Sequence, residues 1–393
     1  MKKLFLGVLV TLFFSCNKSD KTILDQTITK LNTLETISYN AQVTFLPKKD
    51  DRNNVFKGSC YYDFTSKDTL LGARYHFVTE DGDEQVFDGE KVFYSSVKEE
   101  RVLYENDPKD YQVNSSIFGL RSLLELKKVL PILTSDPTII LEKRKDMVIN
   151  NLACHSFNFT ISDRYISNGK LVNVKDELKG YVYNYEIAIS KSNKLPIYIR
   201  TSNSLADQVI ISKLSDFNVD ANRDTLIWSY ERFPEGYLTM SEREFYKRER
   251  MNMEGSIGKK APDFTLPSLE GDTISLSKIN NKLTLLEFWF PNCGGCVEAV
   301  PHVNEIQKKY KQKGLDVYGI EFTRSNDKGL KEYVEKQKIE IPTLYLGKGT
   351  ASLYGTSAAP TFVLLNEQKE ILYIRMGLEK ETLIKNIEAA LGI

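Results

Sequence analysis

Two cysteines separated by two glycines, Cys293-Gly294-Gly295-Cys296, are the residues of this 393-residue chain best placed to do chemistry. Thiols at this spacing can close into a disulfide and reopen, accepting or donating two electrons. The pair follows Leu283–Phe290, apolar apart from Thr284 and Glu287, which fits a strand buried on both faces. A helix predicted to about Lys313 comes next. A sulfur at a helix start meets unpaired backbone N–H groups and the positive end of the helix dipole, which favours the thiolate. Cys293 is therefore expected to attack and Cys296, about one turn on, to resolve the mixed disulfide. Glu287 is a lone carboxylate in the apolar run. Burying it as an ion is costly, so its pKa should rise unless the side chain escapes to solvent at a sheet edge.

The other candidates are weaker. Cys60 and Cys154 fall in separate predicted strands, where a structural disulfide and two buried free thiols are both open. His155 cannot form a dyad with Cys154 inside a strand, because adjacent side chains point to opposite faces. His76 reads as an ordinary strand residue, and His302, after Pro301, as a surface residue of the active-site helix that could tune the thiolate. Three histidines leave little for zinc. No metal or bound cofactor is expected; the cysteine pair itself is the redox group. The 53 basic and 53 acidic side chains cancel, which offers no broad positive field and argues against a nucleic-acid binder.

Positioning these residues takes two domains. From Lys21 to about Ile37, leucines and isoleucines at three- and four-residue spacing predict an amphipathic helix. Alternation then takes over, with Tyr39, Ala41, Val43 and Phe45 on one face. It returns at Lys57–Phe64, Ala73–Thr79, Lys91–Val97, Cys154–Ile161, Tyr181–Ile189 and Ile197–Thr201, divided by turns such as Asp88-Gly89. One helix, about Ser122–Leu130 and stopped by Pro131, interrupts them. The expected product is a mostly antiparallel sheet with one polar and one apolar face, the latter needing a cover. The densely charged run Glu235–Ser256 reads as a solvated linker with a helical turn or two. Beyond it come a hairpin around Glu270-Gly271, the Leu283 strand and the helix after Cys293. A strand at Leu315–Phe322, a helix near Lys328–Lys338, extended segments at Pro360–Leu365 and Ile371–Met376, and a helix at Glu379–Ala390 complete a three-layer α/β domain. The boundaries are residues 1–15 for a signal, 16–235 for the β-rich α+β domain, 236–256 for the linker and 257–393 for the α/β domain.

Several of these segments carry resemblances. Residues 257–393 resemble the TlpA/ResA-type thioredoxin-fold proteins of the AhpC/TSA-redoxin superfamily, through Ala261-Pro262-Asp263-Phe264, Glu287-Phe288-Trp289, the Cys293/Cys296 pair, Pro301 and Ala359-Pro360-Thr361. The resemblance implies an exported thiol-disulfide oxidoreductase in which Pro360 is a cis-proline facing the cysteines and Ala359 pairs its backbone with the substrate. Trp289 and Asn292 would border the groove. Glu287, six residues before Cys293, matches the buried acid of thioredoxin-like proteins, and so is expected as general acid/base for Cys296. Two departures bear on groove and potential: Asn292 stands where the family usually has Trp, and Gly295 where Pro is common.

The region 21–230 resembles in architecture the LolA-like half-barrel of lipoprotein carriers, which implies a curved sheet whose apolar face either holds an apolar ligand or is packed shut. Met1-Lys2-Lys3, the apolar run Leu4–Phe14 and Ser15-Cys16 read as an export signal, the run being about half the roughly 20 residues that span a bilayer. Phe13-Phe14-Ser15-Cys16 resembles a bacterial lipobox, with Phe for the usual Leu, which implies cleavage before Cys16 and lipidation of its thiol. The expected address is the bacterial envelope, lipid-anchored and facing the periplasm. Expected partners are protein thiols and disulfides, an upstream electron donor and the membrane. Two competitors stand beside this reading. One is a lipid or apolar-ligand carrier with an accessory redox domain. The other is a thiol peroxidase, disfavoured by Phe290 where peroxiredoxins carry Thr.

Overall fold

The computed structural model describes residues 18–46, 54–65, 70–114, 116–119, 121–174, 179–204, 209–291, 293–356 and 358–393. The signal segment and Cys16 lie outside them. The described residues divide into two compact units, one ending at Ser241 and one running from Glu242 to Ile393.

The alternating segments of the first unit join into one twelve-stranded sheet. In spatial order the strands are Leu238–Ser241, Arg101–Glu105, Val92–Ser96, Glu84–Phe87, Arg74–Thr79, Val55–Asp63, Thr36–Leu46, Val209–Val219, Pro196–Asn203, Val182–Ser190, Leu152–Ser162 and Ile140–Ile149. Every pairing is antiparallel except the first, which is parallel. Tyr39, Ala41 and Val43 enter the core. Leu24, Leu31 and Leu34 meet them from helix Lys18–Asn32 and its end, and Leu126, Val129, Leu130 and Leu133 from helix Leu123–Ser135. The apolar face is thus occupied by two helices and its own aromatics, among them Tyr75 stacked on Phe77 at 4.3 Å.

Two expectations change here and one open alternative closes. Helix Leu123–Ser135 does not stop at Pro131 but runs through it. Its start is secured by Ser122, which accepts the Glu125 N–H at 3.2 Å, and buried residues on both sides of the proline outweigh the roughly 3 kcal/mol it costs a helix interior. Cys60 and Cys154 are free. Four strands separate theirs in the sheet, at about 4.8 Å per step. Cys60 packs in the main core and Cys154 in a separate cluster with Ala188 and Ile197, so no disulfide can span them. The charged run, finally, is no bare linker. Leu238–Ser241 pairs with Arg101–Tyr104 and buries Met240, and helix Glu242–Glu254 buries Met253 in the core of the second unit. Just before it, Trp228, Tyr230, Phe233 and Tyr237 cover Val86, Phe93 and Val102, so part of the face expected to be polar is an aromatic contact.

The second unit holds a five-stranded sheet in the order Thr343–Leu344, Leu315–Glu321, Leu283–Trp289, Thr361–Asn366, Ile371–Met376. The first three strands are parallel and the last two pairings antiparallel. Helices Gly294–Tyr310 and Lys380–Leu391 pack one face through Ala299, Val303, Ile306, Leu383 and Ile387. The other is covered by the hairpin Thr265–Pro267/Thr273–Ser275, by helix Lys348–Leu353 and by Met253. The sequence reading missed Thr343–Leu344 and Lys348–Leu353, because two and six residues are too few to display a period.

Candidate active site

All seven residues of Leu283–Trp289 are buried, as a central strand requires. Alternation turns Leu286 and Phe288 to one core and Leu283, Leu285, Glu287 and Trp289 to the face under helix Gly294–Tyr310. That helix buries Cys296, Ala299, Val303, Ile306 and Tyr310, a three-and-four spacing that presses one stripe onto the strand. Pro301 falls on its exposed side.

Cys293 is the N-cap residue of this helix, and its Sγ accepts the Cys296 backbone N–H at 3.1 Å. The two cysteines form a disulfide with Cα atoms 5.2 Å apart. A sulfur held at that place is stabilised as an anion by the same N–H once the bond is reduced. The Ala359–Pro360 peptide bond is cis. The Ala359 carbonyl oxygen lies 3.5 Å from Cys293 Sγ, and a Cβ on Gly295 would come 3.2 Å from Pro360 Cδ. The proline thus seats against the spacer glycine, and the loop carrying Ala359 flanks the first sulfur. Trp289, Leu330, Tyr333, Tyr345 and Ala359 wall the pair with apolar surface.

Glu287 is 5% exposed. It stays inside, since its strand is flanked on both sides and no sheet edge offers an escape. Burial pushes its carboxyl up to about 8. With Cys296 it lines a cavity bounded by Trp289, Asn304, Tyr333 and Gln337. A carboxyl poised near neutral beside the second sulfur can give that sulfur a proton or take one.

Trp289 departs from its expected place in the substrate groove. It is 3% exposed, stacks on Tyr333 at 6.0 Å and faces inward, because its strand position puts it on the same side as Glu287. Asn292 lies outside the described residues. His302 is half-buried on the active-site helix. In the first unit His76 contacts Glu84 at 2.5 Å and His155 contacts Asp146 at 3.4 Å. Gly319 belongs to the site and was not anticipated: a Cβ there would fall 2.7 Å from Trp289 Nε1. Only the parallel register that sets Gly319 beside Glu287 reveals it. Among the described residues no group of three His, Cys, Asp or Glu could hold a metal ion.

Comparison with known proteins agrees with this chemistry. The family described as the AhpC/TSA family matches residues 257–374. The thiol-disulfide oxidoreductase ResA of Bacillus thuringiensis subsp. konkukian (strain 97-27) is 30% identical over 136 residues, 34% of this chain and 76% of that protein. The thioredoxin-like protein YneN of Bacillus subtilis (strain 168) is 29% identical over 144 residues, 36% of this chain and 83% of that protein. Among solved structures, a putative thiol:disulfide interchange protein DsbE from Chlorobium tepidum is 31% identical, with 35% of this chain and 98% of that chain covered and a TM-score of 0.33.

Proposed function

Since the chain belongs, through its C-terminal unit, to the ResA-type thiol-disulfide oxidoreductases, we propose that it exchanges electron pairs with protein disulfides of the bacterial envelope, as a reductase or isomerase. The observation that carries the reading is the placement of Cys293: at a helix N-terminus, in reach of the Cys296 N–H, with the cis-Pro360 loop at its side. In this reading the Cys293 thiolate attacks one sulfur of a partner disulfide, breaks its S–S bond so that the other sulfur leaves as a thiolate, and forms a mixed disulfide. Cys296, handing its proton to Glu287, then attacks Cys293 Sγ and expels the partner's second sulfur as a thiolate. The partner's disulfide is reduced and the Cys293/Cys296 pair oxidised, two electrons each. Ala359 would hold the partner's backbone beside the sulfur.

Exchange with a disulfide-bonded protein substrate tests this. Cys293→Ser should abolish it, and Cys296→Ser should accumulate mixed disulfides visible on non-reducing gels. Activity surviving Cys293→Ser would refute the reading. The reduction potential of the pair then separates reductase from isomerase.

The address is part of the same proposal. Met1-Lys2-Lys3, the apolar run and Ser15-Cys16 support export and a lipid anchor on Cys16, with the membrane as one partner. Cys16→Ser should move the protein from the membrane to the soluble fraction. Carriage of an apolar ligand by the first unit draws no support from its apolar face, which two helices occupy.

A further inference from the structure

Val148 is the most exposed large apolar side chain among the described residues, at 71%. It sits near the tip of the hairpin formed by Ile140–Ile149 and Leu152–Ser162, the first of which ends the twelve-stranded sheet. Asn150 and Asn151 both take positive φ, as a two-residue hairpin turn requires. Leu152, just past the turn, is 38% exposed. The tip has a firm base. Met147 and Ile149 pack against Cys154, Ala188 and Ile197, so alternation holds Val148 outward on the opposite face.

Cations surround this apolar tip. Lys143, Arg144 and Lys145 are exposed on the strand, and Lys191 is exposed in a turn that donates its N–H to the Ala153 carbonyl. Lys194 lies in the same turn, its ammonium on the Lys191 carbonyl. Against these stand Glu142, paired with Arg144, and Asp146, which Lys143, Lys191 and His155 share. Lys145 has no ion-pair partner among the described residues. Beside the turn, Asn150 borders an open hollow of about 530 Å³ with Gln42, Lys57, Ser59 and Lys213, donors that suit phosphate oxygens. Two exposed apolar side chains are too few for a stable protein interface, which needs about 1,000 Å². Ringed by lysine and arginine, they fit the headgroup layer of an anionic bilayer.

We propose that the hairpin tip Met147–Leu152 docks on a membrane surface carrying anionic headgroups. Val148 and Leu152 enter the boundary of the acyl chains, and Arg144, Lys145, Lys191 and Lys213 meet the headgroup phosphates. The contact is separate from the thiol chemistry and from a lipid on Cys16. It orients the first unit on the membrane, which a lipid chain alone leaves free to turn.

The experiment uses the Val148→Trp chain and phosphatidylcholine vesicles with and without phosphatidylglycerol, their acyl chains brominated to quench an indole within reach. Sedimentation reads binding of the chain by any route. Quenching reads the tip alone, over the background set by Trp228 and Trp289 in the wild type. Quenching above that background is expected on the anionic vesicles and not on the neutral ones. Salt that shortens the Debye length from about 10 Å to about 3 Å should abolish it. Lys145→Glu in the same chain should weaken it by roughly fivefold or more. Leu152→Trp repeats the measurement from the other side of the turn. Sedimentation without quenching in either chain would overturn the docking and leave the Cys16 anchor standing. Equal quenching on neutral vesicles would overturn the recognition of anionic headgroups. No sedimentation at all would overturn the proposal too, as would a blue shift of the introduced indole with soluble polyglutamate and none with vesicles, which would assign the tip to an acidic protein.

Discussion

At the residue scale the site rests on a division of labour between two sulfurs three residues apart. Cys293, capping the helix, gains the helix-end N–H groups; Cys296, one turn inside, gains a buried carboxyl instead. That carboxyl carries a stability cost whose sign can be worked out. In the unfolded chain Glu287 ionises near its usual 4.5, whereas burial holds the folded carboxyl neutral up to about 8. Below both values it is neutral in both states and costs nothing. As pH rises from about 4.5 to about 8 only the unfolded chain releases the proton, so the folded state loses stability across that window and the loss is complete above it. Glu287→Gln has no proton to lose. Its unfolding free energy, measured by urea denaturation, should exceed that of the wild type by an amount that grows with pH, reaching on the order of a few kcal/mol above about pH 8. A difference independent of pH would mean that the carboxyl is not held neutral.

At the scale of elements, short-range signals and long-range packing compete, and helix Leu123–Ser135 illustrates both. Its start follows a local rule: Ser122 accepts the Glu125 N–H, and Ser122→Ala should cost the first unit about 1 kcal/mol, read as a lower urea midpoint. Its end defies one. Pro131 should stop it, yet Leu130 and Leu133 are both buried and hold the helix on the sheet beyond the proline. The active-site strand was legible because seven buried residues in a row leave a continuous apolar run. The inward turn of Trp289 was not, since a residue at the end of a strand can serve a groove or a core equally well by sequence. The same holds for Leu238–Ser241: four residues beside a charged run carry no strand pattern, and only the free edge at Arg101–Glu105 makes them one.

At the scale of the whole molecule the four described cysteines divide by burial and partner. Cys60 and Cys154 are buried and unpaired, and burial pushes both thiols up, which keeps them inert. In a Cys16→Ser background, the oxidised folded protein should show no fast-reacting thiol and the unfolded one two. Reduction should add one fast thiol in the folded state, Cys293 at the helix cap, with the buried Cys296 reacting more slowly, as a colorimetric thiol assay can follow. A fast thiol in the oxidised folded protein would contradict the burial. No helix among the described residues is long and apolar enough to cross a membrane.

The sequence by itself determined the redox pair, the strand and helix that hold it and the alternation that builds the first sheet, because each is written in local spacing; the proline that faces the pair came only through the family resemblance. It also narrowed Glu287 to a buried acid, since a lone carboxylate in an apolar run has few other places to go. Tertiary structure alone decided that Cys60 and Cys154 cannot meet, that Trp289 turns inward and that Gly319 makes room for its ring. These depend on which strands become neighbours and in what register, and no local pattern encodes that.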